Sequence, residues 1–234
     1  MDLPFTTEQF LAVFRDYNIA IWPAQIGAYL LGIGALGLAG RDSSMSDRLI
    51  CIILATFWVW MGAVYHLLFF WAINPAAVLF GGLFLAQGVA FLSIGLRRSP
   101  LRFSTRSDLY GGIGGVAVLY ALAVYPALGA WLGHGYPQAP MFGVAPCPTT
   151  IFTFGLLLWT RGRVPVWLLV IPTLWALIGT TAAVSLGILE DTGLLVAGLL
   201  GTGLLLYRNH AEHDPKKGKT SASGASSFSC RVER

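Results

Sequence analysis

The charged positions of this chain are gathered into short clusters, and between them run apolar stretches long enough to be measured against a bilayer. With a window of about 20 residues, the length that crosses about 30 Å of hydrocarbon, four spans stand out: Ile19–Gly40, Leu49–Ile73, Ala76–Leu96 and Leu109–Leu132. A fifth ends at Thr160 and begins somewhere after Met141. From Val164 to Tyr207 the only charged residues are Glu190 and Asp191. That stretch is too long for one crossing and enough for two. A sixth span is expected from Val164 to about Val184 and a seventh from about Leu186 to Tyr207. The predicted fold is all-α, a polytopic transmembrane helical bundle of about seven spans.

The basic residues orient these spans. Arg41 and Arg48 follow the first, Arg97, Arg98, Arg102 and Arg106 the third, and Arg161 and Arg163 the fifth. The C-terminal segment adds Arg208, Lys216, Lys217, Lys219, Arg231 and Arg234, while the other connections have none. Arg and Lys collect on the cytoplasmic side of membrane proteins, which predicts an external N-terminus and a cytoplasmic C-terminus. Composition agrees: 56% of the 234 residues are hydrophobic and 11% charged, with a mean hydropathy of +0.68, too little polar surface to cover a water-soluble globule. The net charge of +4 follows the topology rule rather than a nucleic-acid footprint, so no nucleic-acid partner is expected. The expected surroundings are a lipid bilayer, in a multi-pass protein of the cell membrane, the bacterial inner membrane.

Both ends of the chain read differently from its middle. In residues 1–18, Phe10, Leu11, Phe14 and Tyr17 recur at helical spacing opposite Glu8, Arg15 and Asp16, and Thr6 with Gln9 can form a capping box. This predicts a short amphipathic helix on the outer surface, either an interfacial anchor or a lid over an external cavity; no cleavable signal peptide is expected. Residues 19–207 form the expected transmembrane domain. Residues 208–234, rich in Ser, Gly and Lys, are expected to be a disordered cytoplasmic tail.

Small residues mark the helix seams: Ala28, Gly32, Ala35 and Ala39 in the first span, Gly111 and Gly115 in the fourth, Gly193, Ala197 and Gly201 in the seventh. Such stripes let helix backbones approach in lipid, within one chain or between copies, so an oligomer through the Gly-rich faces is also open. Trp22, Trp71 and Trp131 fall near the outer interface and Trp159 and Trp167 near the inner one, where amphipathic rings settle.

The segment HGYPQAPMFGVAPCPTT, His134 to Thr150, is where chemistry is most plausible. Its four prolines forbid a continuous helix, yet the ten residues from Ile151 to Thr160 rise only about 15 Å, half the hydrocarbon thickness. The economical solution is a broken segment dipping from the outer face through Phe142 and Pro146, then a half-helix starting near Pro148. Thr149 and Thr150 would offer hydroxyls near its N-terminus. Irregular backbone at membrane depth needs protein or a water-filled cavity around it, which implies an outward-opening cavity. The alternative is a fifth span that begins at Met141 and kinks at proline.

Three stretches, DLPFTTEQFLAVFRDYNIAIWP, YHLLFFWAINPAA and FGVAPCPTTIFTFGLLL, resemble a bacterial family of multi-pass membrane proteins known only as a domain of unknown function. The resemblance covers roughly residues 2–207. It implies the membrane class and brings no reaction, substrate or catalytic residue.

On the expected topology His66, His134, Cys147, Glu190, Asp191 and Asp16 share the outer half with Gln25, Asn18 and Asn74. A thiolate, imidazoles and carboxylates together suit a borderline metal such as zinc or copper, but no local HxxxH or CxxC spacing supports one, and no cofactor is named. Glu190 and Asp191 are expected in a loop at the outer interface, where carboxylates are cheap. Gln87, in the middle of the third span, either bonds between helices or lines the cavity.

Three functions follow. A transporter or channel-like protein for a small solute or ion would bind at the broken fifth span, with His66, Gln25, Gln87, His134, Cys147, Thr149 and Thr150 as the candidate binding residues. A non-catalytic membrane partner or assembly factor is the second. An intramembrane thiol- or metal-dependent enzyme is the third, with Cys147 and either His66 or His134 as its only credible nucleophile and base.

Overall fold

The structure, a computed structural model, describes residues 4–97 and 101–212. Nine α-helices are present among them: α1 Thr7–Ala20, α2 Ala24–Ala39, α3 Ser44–Trp60, α4 Ala77–Gly95, α5 Leu109–Leu119, α6 Tyr125–Trp131, α7 Pro146–Leu158, α8 Val166–Leu186 and α9 Thr192–Ala211. A π-helical stretch, Met61–Phe69, prolongs α3, and another, Tyr120–Val124, joins α5 to α6. Five helical runs are long and apolar enough to cross a membrane: Ser44–Ala72, Ala77–Gly95, Leu109–Trp131, Val166–Leu186 and Leu189–Ala211. Helices α1 and α2, bent by 86° at their junction, would together make a sixth.

The start of α1 is the capping box read from the sequence. Thr6 Oγ1 accepts from the Gln9 backbone N–H at 3.2 Å, and the Thr6 N–H donates to Gln9 Oε1 at 2.9 Å. Its apolar face does not lie free. Phe14 stacks on Tyr65 with centroids 5.0 Å apart, Phe10 meets Phe70 edge-on, and the Tyr17 hydroxyl donates to the Val144 carbonyl at 2.8 Å.

The centre of the bundle is α7, where all 13 residues are buried. A helix apolar all round belongs inside other helices, and α7 packs against α5, α8 and α9. Trp58 of α3 also donates to Thr153 Oγ1 at 3.2 Å. The chain before α7 is irregular and just as deeply placed, with Ala139, Phe142, Val144 and Ala145 all buried. Gly143 sits there at φ +78°, and a Cβ would stand 2.6 Å from that of Ala28; the αL conformation and the close approach both require glycine.

The small-residue seams pack inside the chain. Ala28, Gly32, Ala35 and Ala39 are buried on α2, and Gly201 lies against Phe154 of α7. On α5 the close approach is made by Gly114, opposite Gly155 of α7, rather than by Gly115.

A two-residue ribbon closes one end, with β1 (Arg102–Phe103) antiparallel to β2 (Thr160–Arg161). Helix α9 runs past the expected end at Tyr207. Arg208 is buried there, donating to the Thr160 carbonyl and hydroxyl, both at 2.8 Å, and Asn209 bonds both backbone groups of Val164. These contacts carry the helix on to Ala211. The remaining tail residues, with His213 and Cys230, lie outside the described residues.

Candidate functional site

A cavity of about 210 Å³ opens where α1, the π-helical stretch, the start of α7 and the end of α8 meet. Its walls are aromatic: Phe5, Phe10, Phe14, Tyr65, Phe70 and Trp175 all line it. The ionisable groups at its wall that differ from this lining are Cys147 and Asp191, with Asn74 adding an amide; no Lys, Arg or His is among its lining residues. Cys147 enters as the second residue of α7, which starts with Pro146 at a position where a missing N–H costs nothing. Asp191 ends a short 3₁₀ turn, Leu189–Asp191, leading into α9.

Asp191 is 3% exposed and Glu190 fully buried: they lie in the turn between α8 and α9, but that turn buries them instead of leaving them in the solvated setting expected. Two things turn them inward. Gly187 ends α8 with φ +71°, a left-handed stop that reverses the chain. Two tyrosines of the α5–α6 region then anchor the turn, Tyr125 Oη donating to Asp191 Oδ1 at 2.6 Å and Tyr120 Oη to the Glu190 carbonyl at 2.7 Å. The Cys147 thiol lies beside the same carboxyl group, and the Trp175 indole lies beside that thiol.

Glu190 occupies a separate, tighter niche. His134 Nδ1 stands 3.6 Å from Oε1, beyond hydrogen-bond range, and neither carboxyl oxygen has a hydrogen-bond partner among the described residues. A Cβ on Gly129 would come within 3.1 Å of Oε1, so the absent side chain makes the niche.

The other predicted residues are dispersed. His66 donates through Nδ1–H to the Met61 carbonyl, 2.9 Å away, and its ring meets Trp175 edge-on with centroids 5.3 Å apart. Trp175 therefore touches both His66 and Cys147, and the imidazole is not part of the cavity lining. Gln25 donates to the Asn18 carbonyl at 2.8 Å, and Asn18 ties α1 to the Pro137 and Ala139 carbonyls. Gln87 donates across helices to the Leu168 carbonyl at 3.0 Å. Thr149 accepts from Gly143 N–H at 2.9 Å and donates to the Ala145 carbonyl at 2.7 Å, pinning the irregular segment to α7. Thr150 is buried with its hydroxyl unpartnered. Of the seven, Cys147 alone lines the cavity.

Sequence reasoning missed Tyr125, Trp175 and the inward turn of Asp191. The available signal was the Glu-Asp pair as the sole charge between two spans, three residues after a glycine. No group of three or more His, Cys, Asp or Glu side chains among the described residues is placed to hold a metal ion.

Comparison with known proteins matches residues 7–214 to the family described as a family of unknown function (DUF6064). No curated protein and no solved structure matches the chain.

Proposed function

The chain belongs to the DUF6064 family, which carries no assigned activity, and from the site itself we propose an integral membrane protein that binds a small organic cation in the aromatic cavity at Asp191, as a transporter or channel-like protein. The observation that carries this reading is the Asp191 carboxyl group, withdrawn from water at the end of a cavity without a cationic side chain. A buried carboxylate costs free energy unless paired. A ligand bringing its own positive charge meets that need, and the surrounding ring faces attract the same charge. The apolar walls favour a cation with hydrocarbon substituents over a hydrated metal ion. Seven crossings, with the N-terminus outside and the C-terminus cytoplasmic, belong to this proposal: α2 would make the first crossing, and α7 with its buried approach the fifth. The arginine distribution supports it, as do Trp22, Trp71 and Trp131, all exposed.

The test uses purified protein and a series of small alkylammonium ions, with alkyl carboxylates of equal size as controls. Ligand-induced stabilisation follows the logarithm of saturation, so the ammonium ions should raise Tm and the carboxylates should not. Asp191→Asn should abolish the response. A response that survives in Asp191→Asn, or none to any ammonium ion, rejects the reading. Uptake of the best ligand into proteoliposomes then separates a transporter from a binding protein.

The position of Cys147 beside Asp191 favours a second reading, a thiol-dependent enzyme. A reactive thiolate needs electropositive neighbours, and this cavity offers a carboxyl group, which places that reading below the first. Labelling of Cys147 by a small membrane-impermeant reagent from outside, with Cys51 and Cys230 replaced, tests whether the cavity opens outward.

A further inference from the structure

At the opposite end of the bundle, Arg97, Arg102, Arg161 and Arg163 surround a hollow of about 240 Å³ with Ile94, Leu101 and Pro165 as its apolar lining. We propose that this hollow binds the phosphate of an anionic membrane lipid head group. The arginines arrive from three elements: Arg97 follows α4, Arg102 lies on β1, and Arg161 and Arg163 lie on and just after β2. The ribbon register sets Arg102 directly opposite Arg161, a like-charge cross-strand pair that repels by itself. An anion bridging the two reverses that sign.

The nearby carboxylates, Asp42 and Asp47, offset only part of the cluster's charge. Asp42 pairs with Arg161 at 3.0 Å on the surface, and Asp47 is buried with its Oδ1 accepting the Phe103 N–H at 2.8 Å. Arg97, Arg102 and Arg163 have no side-chain hydrogen bond or ion pair among the described residues, whereas Arg106 and Arg208, elsewhere at this end, direct their donors to Asp108 and Thr160. The positive-inside bias places arginines in connections but does not make them converge. Guanidinium forks match phosphate oxygens in pairs. A lipid is the fitting source because the hollow is partly apolar, and the helices leading away from it expose Leu92 on α4, Leu96 just after it, and Val166 and Val170 on α8, a surface suited to acyl chains and of no use to a free anion.

The experiment measures lipid retained by the full chain in detergent, by native mass spectrometry, after addition of phosphatidylglycerol or phosphatidylcholine, with inorganic phosphate as a separate addition. Phosphatidylglycerol should be retained preferentially. Arg97→Gln with Arg163→Gln, both exposed, should lower that retention about tenfold, as expected for the loss of charge-assisted hydrogen bonds. Arg41→Gln, outside the hollow, should leave it unchanged, and Arg102→Lys should retain part of it. Equal retention of the two lipids, or an equal loss in Arg41→Gln, overturns the site. Phosphate that displaces the lipid completely at millimolar concentration overturns the lipid as its occupant. Should the double variant misfold, Arg163→Gln alone must still lower the preference for the proposal to stand.

Discussion

At the N-terminal end of α9 two carboxyl groups, Glu190 and Asp191, are withdrawn among tyrosines, whereas at the other end of that 20-residue helix, about 30 Å away, four arginines stand exposed around an open hollow. The two ends differ in what holds the charge. Exposed guanidinium groups remain solvated and need little from the fold. A buried carboxyl group depends on the fold around it, and the anchors here come from a distant element: Tyr125 of the α5–α6 region donates to the Asp191 carboxyl group and Tyr120 to the Glu190 backbone carbonyl. Charge at the first end is therefore coupled to packing. At the second it is coupled to whatever binds there.

The strongest way to break this comparison is to disturb the helix that both ends rest on. A Cβ at Gly155 would stand 2.8 Å from Val118 Cγ2 and 2.9 Å from the Gly114 carbonyl, so Gly155→Leu forces α5 away from α7. Overpacking of this kind costs about 1–3 kcal/mol or more; the expected result is loss of folded protein on size-exclusion chromatography in detergent.

Arg208→Met sharpens the comparison, because this arginine belongs to the arginine end and yet is buried. It loses charged hydrogen bonds to Thr160, each worth about 1.5–3 kcal/mol, and Tm should fall by several degrees. Tyr125→Phe strips Asp191 of its donor and should cost about 1–3 kcal/mol, visible as a lower Tm and weakened alkylammonium binding. Asp42→Ala removes the exposed ion pair with Arg161 and leaves the Arg161 hydrogen bond to Ser104 in place, a loss worth about 0–1 kcal/mol. If it lowers Tm as much as Tyr125→Phe, charge at the two ends is held alike and the contrast fails.

The smallest effect concerns pH. Asp108, at the start of α5, has its pKa pulled down to about 2 by its hydrogen bonds to Arg106 and then to the Gly111 N–H. A depressed carboxyl pKa adds stability above the usual carboxylate value of about 4, and that contribution is lost as pH falls through about 2. The Tm difference between wild type and Asp108→Asn should thus stay constant from pH 7 to 5 and shrink only in stronger acid.

Much of the helical layout was legible in one dimension. Helix α4 was expected as Ala76–Leu96 and is Ala77–Gly95; α8 was expected over Val164 to about Val184 and is Val166–Leu186. The shortfall of helix before Arg161 likewise foretold a short α7 with irregular chain before it. The site was far less legible. Gln25, Gln87 and Thr149 were chosen as polar residues in apolar spans, but such side chains first satisfy the backbone groups nearest them, and all three do so here. Tyr125 and Trp175 were overlooked because an aromatic residue in a span looks like any other apolar one until its partner is known.

The sequence by itself determined that most of this chain is apolar helix, where those helices run and on which connections the arginines fall, because hydropathy and charge are properties of consecutive residues. Only the tertiary structure decided that Asp191 meets Cys147 and Tyr125, that α1 helps wall their cavity, and that Arg102 faces Arg161. Those are contacts between residues far apart in the chain, set by a left-handed stop at Gly187, a bend between α1 and α2 and the register of a two-residue ribbon, and no local pattern encodes the meeting of two such elements.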